Sequence, residues 1–520
     1  MNHLPLLPVL VPLFAAAIAL FFEHRRFGIL PQRVVAWTSM AVMLASALLL
    51  MRDAGTGEIA VYLVGDWPSR LGIALMVDRL SALMLVVAQL LGVACLLHAS
   101  AGWDRRAPHF HAFFQFQLMG LNGAFLTGDA FNLFVFFEIL LIASYGLMLS
   151  AGRGKRMRAG LHYIAFNVAA STLFLIALGL LYGLLGTLNM AEMAVRIAEL
   201  PPREVALVQA AAGILLVVFC SKAALFPLYL WLPPTYTHTP AAVAALFAIM
   251  TKVGLYAVLR FGHLAFGADG PLDGFAWPTL LVLGGITLAL ASLGALAERR
   301  LRTLAAYLVV CSAATLFIAF ALATTGTIAA GLYYLVHSTF AGAALFLLAD
   351  LIRRRRGAAS DRKDLVAQLP HNTMPAILFM VVAVSLAGLP PLSGFIGKLL
   401  LMEATPAPVT RWVWWLLLAS SFLTLVGLAR AYTRLFWRTT PWPDAPPAAL
   451  VAYEANPDAA DAPSRPLETA GTLLLVAYGL AMTVAAAPLL DYTRASAEQL
   501  ATPDAYVSQL RAAPSQVRSP

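Results

Sequence analysis

The sequence predicts an all-α protein that crosses a membrane about fourteen times. Hydrophobic residues make up 61% of its 520 residues and charged residues only 12%, whereas roughly 25% of an average soluble domain is charged. Apolar runs of about 20 residues, the length that a helix needs to cross a bilayer, recur along nearly the whole chain. Two of these runs are interrupted by proline close to a lysine, which predicts that spans seven and twelve are discontinuous.

The apolar runs predict the order of the spans along the chain. The first run has no Lys or Arg before it and no small-residue cleavage site after it, so we expect a retained helix rather than a secretory signal. The predicted spans are residues 4–22, 34–51, 73–97, 109–127, 130–150, 161–186, 205–231, 241–262, 276–296, 303–322, 327–349, 373–402, 412–437 and 469–489.

Basic residues in the short loops provide a check on this count. Loops after even-numbered spans carry only scattered basic residues such as Arg203 and Arg411. The positive-inside rule therefore predicts cytoplasmic loops after odd-numbered spans and periplasmic termini in a bacterial inner membrane. The basic residues after odd-numbered spans are Arg25, Arg26, Arg33, Arg105, Arg106, Arg153, Lys155, Arg156, Arg158, Arg299, Arg300, Arg302, Arg353 to Arg356, Arg362, Lys363, Arg434 and Arg438.

Several classes of function leave no pattern in the sequence. The net charge of +9 comes from residues in short loops rather than on one soluble face, so we expect no nucleic-acid partner. Cys95, Cys220 and Cys311 lack the spacing of a zinc, haem or iron–sulfur site. Phosphate-loop, Rossmann and zincin motifs are also missing. We therefore expect no cofactor and no metal.

The two interrupted spans predict an internal repeat. Span seven contains "SKAALFPLYLWLPP" with Pro227, and span twelve contains "VSLAGLPPLSGFIGKLL" with Pro390 and Pro391. Broken helices survive in a membrane only where they are buried in protein or line a wet cavity, and pairs of them are typical of inverted-repeat transporters. We predict two inverted five-helix repeats, spans four to eight and nine to thirteen. The predicted segments are 1–108, 109–262 (first repeat), 263–440 (second repeat) and 441–520.

Five ionisable residues lie deep within the predicted spans: Glu138, Lys222, Lys252, His337 and Lys398. A charge at the bilayer centre costs at least about 2.5–3.5 kcal/mol, so each is a functional candidate. Burial disfavours the charged form of lysine and a nearby carboxylate favours it, so movement of Glu138 relative to Lys222 would load or release a proton. An imidazole could relay protons between Lys252 and Lys398.

Structural interpretations of the same residues stay open. Glu138 could be a protonated acid bonded to a neighbouring helix, its interaction with lysine could be a static ion pair, and His337 could serve only as a hydrogen-bonding group. We expect His238 in a loop at the mouth of span eight, either as a gate or as an ordinary loop histidine. We also expect Asp78 and Arg79 to pair locally and the tail after Ala501 to be loosely ordered.

The motifs resemble a known family over about residues 70–440. The segments "FEILLIASYGLML", "YGLLGTLNMAEMA", "KAALFPLYLWLPPTYTHTP", "MTKVGLY" and "LPPLSGFIGK" are similar to the antiporter-like subunits shared by respiratory complex I and Mrp-type cation/proton antiporters. Lys398 and the chain length resemble the D-type subunits of Mrp antiporters, also called Pha or Mnh. The resemblance implies that Glu138 and Lys222 form a coupled pair and that the other candidates continue a hydrated axis.

The resemblance also implies a function. It indicates a proton-translocating subunit of a multisubunit Na⁺ or K⁺/H⁺ antiporter, a transporter rather than an enzyme. Its partners would be other membrane subunits, protons, Na⁺ or K⁺, and membrane lipid. Two alternatives remain: a redox-driven pump subunit of complex I or a membrane-bound hydrogenase that uses the same lysines, and a scaffold subunit whose buried charges are structural ion pairs.

Overall fold

The structure, a computed structural model, describes residues 3–69, 72–152, 154–266, 270–356, 359–365, 373–437 and 466–513. One antiparallel hairpin of β1 (Ala60–Leu63) and β2 (Ala74–Val77) occurs within these ranges. The described helices are α1 (Leu7–His24), α2 (Ile29–Gly55), α3 (Arg79–Ser100), α4 (Phe110–Leu126), α5 (Ala130–Leu149), α6 (Lys155–Leu185), α7 (Met190–Ala198), α8 (Pro202–Lys222), α9 (Leu232–His238), α10 (Ala241–Phe247), α11 (Met250–Leu264), α12 (Trp277–Ala297), α13 (Leu301–Ala321), α14 (Thr325–Arg355), α15 (Thr373–Ala387), α16 (Ser393–Ala404), α17 (Thr410–Tyr432), α18 (Pro466–Val484), α19 (Ala486–Ala501) and α20 (Pro503–Ala512).

The predicted class, an all-α polytopic membrane protein, is confirmed. Twelve helical segments of the described chain are long and apolar enough to cross a membrane. The other two predicted crossings correspond to α4, which has 17 residues, and to the pair α15 and α16, which have 15 and 12 residues. Helix α4 is both short and less apolar, since it contains His111, Gln115, Gln117 and Asn122, whereas span twelve is apolar but broken.

The break in span seven lies between α8 and α9. Helix α8 ends at Lys222, and a 3₁₀ turn at Leu228–Trp231 leads into α9. The Phe226 amide donates to Thr287 Oγ1 at 2.9 Å, and the Trp231 indole N–H donates to the Ser221 carbonyl at 3.0 Å. Since unpaired backbone groups are costly in lipid, these bonds hold the break within the protein. The predicted discontinuity at Pro227 is confirmed.

At the break in span twelve, the lysine of the second helix bonds to the end of the first. Helix α15 ends at Ala387 and α16 begins at Ser393, with Pro390 and Pro391 between them. Lys398 Nζ donates to the carbonyls of Leu386 and Ala387 at 3.4 and 3.2 Å. The last carbonyls of a helix lack partners within it and carry partial negative charge. A lysine one turn into α16 therefore stabilises the end of α15, and this discontinuity is confirmed.

Two local predictions in this region are wrong. The crossing predicted for span eight is confirmed as Ala241–Leu264, but it is not one continuous helix, because α10 and α11 are separated at Ala248 and Ile249, where the sequence has neither glycine nor proline. His238 does not lie in a loop but is the last residue of α9. Prolines favour the first turn of a helix, where no amide bond is lost, so "LPPTYTH" begins a helix instead of ending one.

The two sets of five crossings have the same order of parts. The first runs α4, α5, α6, the broken pair α8 and α9, then α10 with α11; the second runs α12, α13, α14, the broken pair α15 and α16, then α17. The fourth member is broken in both. Because five crossings are an odd number, the second set begins on the opposite side of the membrane, which is the arrangement of an inverted repeat. The segment boundaries stay predictions.

The described chain after span fourteen, up to residue 513, is helical and packed, contrary to the expectation of a loose tail after Ala501. Helices α19 and α20 follow α18 directly, and the side chains of Tyr506 and Leu510 are buried. The Tyr506 ring packs over the Arg260 guanidinium at 5.2 Å. This aromatic and aliphatic burial explains why a polar segment folds. The predicted surface loop at Pro441–Glu468 lies outside the described residues except for its last three, which begin α18.

Asp78 pairs with a distant arginine rather than with its neighbour. Its carboxylate accepts two hydrogen bonds from Arg260, at 2.5 and 2.9 Å, and both side chains are nearly inaccessible. The Tyr256 hydroxyl accepts a further bond from Arg260 at 3.1 Å. Arg79 instead donates to the carbonyls of Gly55 and Ala495. The predicted Asp78–Arg79 pair is therefore wrong, and the observed pair joins α3 to α11.

We expect Asp78→Asn to destabilise the protein by about 3–5 kcal/mol, because it leaves a buried guanidinium without its counter-charge. Thermal unfolding of the purified protein measures this effect. The matched control is Glu204→Gln, which removes a carboxylate from the largely exposed pair with Arg203 and should cost less than about 1 kcal/mol. Equal losses in the two variants would contradict the structural role assigned to Asp78.

Candidate functional site

Glu138 and Lys222 are connected through α6. Ser171 donates a hydrogen bond to Glu138 Oε1, and Lys222 Nζ donates to Asn167 Oδ1 at 3.0 Å. Asn167 and Ser171 lie one turn apart on the same face of α6, so a single helix holds both members of the predicted pair. In the described part of the chain, Glu138 and Lys222 do not form a direct ion pair within 4.0 Å.

Asn167 and Ser171 are functional candidates that the sequence interpretation missed. Both lie in "AFNVAASTLF", an apolar stretch of span six, four residues apart. Two polar side chains at this spacing in an apolar stretch lie on the same face of the helix, and this signal could have identified them. They were overlooked because neither side chain is ionisable.

Lys252 is fully enclosed. Its residue exposure is 0%, and its Nζ donates to Ser312 Oγ of α13 at 2.9 Å. Helix α11 packs closely against the end of α8, since a Cβ at Gly254 would lie 2.8 Å from the Phe219 carbonyl oxygen. The helices that carry Lys222 and Lys252 are therefore in backbone contact.

His337 of α14 and Lys398 of α16 both lie near the first turns of α16. His337 Nδ1 is 2.9 Å from the hydroxyl of Ser393, the first residue of that helix. Lys398 Nζ donates to Ser421 Oγ of α17 at 2.8 Å, in addition to its bonds to the α15 carbonyls. Helix α16 therefore contacts the His337 imidazole through Ser393 and carries Lys398 itself.

The four buried cationic groups share one property: each is bonded to neutral partners. Within the described ranges, none of their nitrogens lies within 4.0 Å of a carboxylate oxygen. Their side-chain partners are three hydroxyls and one amide, and Lys398 also donates to two backbone carbonyls. The exposures of Lys222, Lys252, His337 and Lys398 are 5%, 0%, 2% and 9%.

Buried arginines in the same protein are bonded differently. Arg260 is held by Asp78, and the part-buried Arg33 is held by Asp104 at 2.6 Å. Arginine remains charged under all ordinary conditions, so a fixed carboxylate partner lowers the cost of burying it. Lysine and histidine can instead lose the proton. Arg356 is an exception, since it is buried and bonded to the carbonyls of Ser360, Arg362 and Leu365. Pairing with a carboxylate therefore distinguishes Arg260 and Arg33 from the buried lysines.

This arrangement can store protons. A buried ammonium without a counter-ion is costly, whereas a hydroxyl can accept from an ammonium and donate to a neutral amine. Each site therefore keeps a hydrogen bond in both protonation states. The helices that carry these groups and their partners pack in succession, in the order α8, α11, α13, α14, α16 and α17.

His238 lies apart from this row. Its backbone carbonyl accepts a hydrogen bond from Arg156 Nε at 2.9 Å, and its side chain is part-buried near the surface end of α9. Pro227, Pro390 and Pro391 occupy the two breaks, as predicted. In the described residues, no three His, Cys, Asp or Glu side chains converge as metal ligands do.

The fold and the buried row define a transporter-type membrane protein, and comparisons with known proteins identify its family. The family described as NADH:quinone oxidoreductase/Mrp antiporter, TM, matches residues 127–427. The chain belongs to this family. The D-type resemblance is also supported, since the chain is 37% identical to the D-type subunit of a probable K⁺/H⁺ antiporter of Rhizobium meliloti (strain 1021), over 99% of this chain and 98% of that protein.

Other relatives extend the comparison. The D-type subunit of the Na⁺/H⁺ antiporter of Alkalihalophilus pseudofirmus is 35% identical, over 98% of this chain and 99% of that protein. The N-type subunit of NADH-quinone oxidoreductase from Desulforudis audaxviator is 34% identical, over 85% of this chain and 88% of that protein. A chain of the Mrp complex from Dietzia sp. DQ12-45-1b superposes with a TM-score of 0.85 at 28% identity, covering 98% of this chain and 100% of that chain.

We expect Gly394→Ala to disrupt the contact between α16 and its neighbours. A Cβ there would overlap the Ser385 carbonyl oxygen and lie 2.8 Å from His337 Nε2, and overpacking of this kind costs about 1–3 kcal/mol. Thermal unfolding measures the loss. The control is Gly179→Ala on α6, where a Cβ meets nothing within 4 Å. A drop in stability no larger than the control's would contradict this packing.

Proposed function

We propose that this chain is the proton-translocating subunit of a multisubunit Na⁺ or K⁺/H⁺ antiporter in a bacterial inner membrane. The observation that carries the proposal is the row of three lysines and one histidine, all buried and all bonded to neutral partners. The names of the D-type relatives support it. The distribution of loop charges supports periplasmic termini.

The coupling element in this proposal is the link through α6. An ionised Glu138 that approaches Lys222 stabilises the ammonium, and one that withdraws favours the neutral amine. Ser171 and Asn167 hold the two groups one helical turn apart, so a small shift of α6 changes both hydrogen bonds. The proton released from Lys222 then moves to Lys252 through hydroxyls or water.

The two broken helices form the ends of the proposed path. Protons are taken up at one break, pass along Lys222, Lys252, His337 and Lys398, and leave at the other. Broken helices suit these positions because backbone groups freed at a break bind water and ions. Pro227, Pro390 and Pro391 keep the breaks open in this proposal, and His238 lies where it can act as an accessory gate.

The position of Glu138 supports a neighbouring membrane subunit. Glu138 lies in mid-span five and is only partly buried within this chain, while α6 beside it exposes Gly179 and Gly183. A carboxylate at that depth is costly against lipid, and small residues let another helix approach closely. We propose that a partner subunit covers this face in the assembled complex.

A second function is favoured by the kinship with the N-type subunit of NADH-quinone oxidoreductase: a redox-driven pump that uses the same lysines. Affinity purification of the tagged chain distinguishes the two. Small membrane subunits alone would support the antiporter, whereas a cluster-bearing peripheral arm would support the redox pump.

Glu138→Ala and Lys222→Ala should each reduce cation/proton antiport to background, because each removes one member of the coupled pair. Antiport is measured as cation-induced pH change in everted vesicles, with immunoblots to show that the subunit remains in the membrane. Glu204→Ala, at the surface end of α8, should retain activity. Full activity in both single variants would overturn the proposed relay.

Exchange of the two charges tests the scaffold alternative. The double variant Glu138→Lys with Lys222→Glu would retain function if the residues form only a structural ion pair. It should be inactive in a directional relay, because the carboxylate would then occupy the position from which the next lysine receives its proton. Restored antiport in this variant would favour the scaffold interpretation.

Asn167→Leu combined with Ser171→Ala should lower antiport at least about tenfold, since removal of two buried hydrogen bonds costs roughly 1–3 kcal/mol each. We also expect the pH dependence of antiport to shift, because these hydrogen bonds orient Glu138 and Lys222, the groups proposed to exchange the proton. Thr172→Ala is the control, as Thr172 is exposed and bonds only within α6 at the Val168 carbonyl. An unchanged pH profile would contradict a positioning role.

A further inference from the structure

A groove between α9 and the start of α13 has two chemically different ends. It encloses about 570 Å³. One end is lined by the cations Lys155, Arg299 and Arg300 together with one carboxylate, Glu298, and the other by Leu230, Pro234 and Tyr307. We call it the α9–α13 groove. It takes no part in the buried proton row described above.

The basic end of the α9–α13 groove has a net positive charge, because its three cations outnumber its one carboxylate, Glu298. In the described part of the chain, no carboxylate oxygen lies within 4.0 Å of the charged nitrogens of Lys155, Arg299 or Arg300. Lys155 is the first residue of α6 and Arg300 is the N-cap of α13, where helix dipoles add partial positive charge. This end therefore favours an anion.

The neighbouring Arg302, in contrast, forms an ion pair with a carboxylate of an adjacent loop. It is held by Asp361 at 3.1 Å. Burial would raise the pKa of the Asp361 carboxyl, but the charge and hydrogen bonds of Arg302 hold that pKa below its ordinary value. The loop thus supplies a direct ion-pair partner for Arg302, whereas Arg299 interacts with Asp364 only at longer range and forms no ion pair within 4.0 Å in the described residues.

The other end of the groove is apolar and open to the side. Leu230 is 65% exposed and Pro234 is also exposed. The basic loops place this end of the protein at the cytoplasmic membrane interface. A small anion would fill only the basic end, whereas a molecule with an anionic head and an apolar body matches both.

We propose that the α9–α13 groove binds an anionic phospholipid, with its phosphate at Lys155, Arg299 and Arg300 and an acyl chain along Leu230 and Pro234. Basic pockets between transmembrane helices on the cytoplasmic side bind such headgroups. The proposal concerns lipid dependence and does not rest on the proposed antiport.

A bound lipid would act on the second half of broken span seven. Helix α9 forms one wall of the groove, and the Thr237 hydroxyl lies 3.1 Å from Thr303 Oγ1 of α13. A phospholipid that contacts both helices holds α9 against α13 and so stabilises one position of the broken helix.

Cysteine labelling tests the proposal. Ala297 lines the groove and is exposed, whereas the native Cys95, Cys220 and Cys311 are buried. The Ala297→Cys complex is purified in detergent, and labelling of this subunit by a charged maleimide is followed over time. Phosphatidylglycerol or cardiolipin should slow labelling at least about tenfold, whereas phosphatidylcholine and inorganic phosphate should not.

Charge removal is the second arm of the test. Adding Lys155→Gln, Arg299→Gln and Arg300→Gln should abolish the protection, while the control set Arg25→Gln, Arg105→Gln and Arg106→Gln, exposed residues of other cytoplasmic loops, should preserve it. If the triple variant does not assemble, Arg299→Gln alone should weaken protection, since the described structural contact of Arg299 is its backbone carbonyl, which accepts from the Lys363 amide.

Four outcomes would overturn the proposal. Equal protection by inorganic phosphate would indicate an anion site without a lipid, and equal protection by phosphatidylcholine would indicate apolar binding alone. Protection that survives removal of the three charges would place the lipid elsewhere. Labelling that is slow without any lipid and becomes fast when partner subunits are removed would indicate that a protein covers the groove.

Discussion

The central constraint on this protein is that a buried lysine must keep a hydrogen bond whether or not it is charged. A carboxylate partner would fix the proton in place, and an apolar pocket would prevent its arrival. Ser312 and Ser421 meet the requirement for Lys252 and Lys398, because a hydroxyl both donates and accepts. The helices around the row are arranged to bring these neutral partners to the lysines.

Fixed charges have the opposite requirement, and they build the frame around the row. The Asp78–Arg260 pair joins α3 to α11, the helix that carries Lys252, and Tyr256 lies between the pair and the lysine on one face of that helix. Rigid attachment at one end of α11 leaves Lys252 in a defined place.

Local signals made much of the fold predictable, and long-range contacts account for the errors. Apolar length and paired prolines are readable from sequence, so the spans and both discontinuities could be predicted. The interruption at Ala248 carries no breaker residue, and the Asp78–Arg260 contact joins residues 182 positions apart. The ionisable candidates stood out because charge is rare in spans. Their partners did not, since serine is ordinary in a membrane helix and Ser393 lies 56 residues from His337.

The buried Tyr506 ring over Arg260 has a consequence for how the protein is made. Helix α20 is the last described element of the chain, yet it packs on α7 and β1, and its tyrosine contacts α11 of the first repeat. Helix α19, which leads into it, packs on α14 of the second repeat. The helix that carries Lys252 therefore gains its contact with Tyr506 only after the segment that forms α20 has been synthesised.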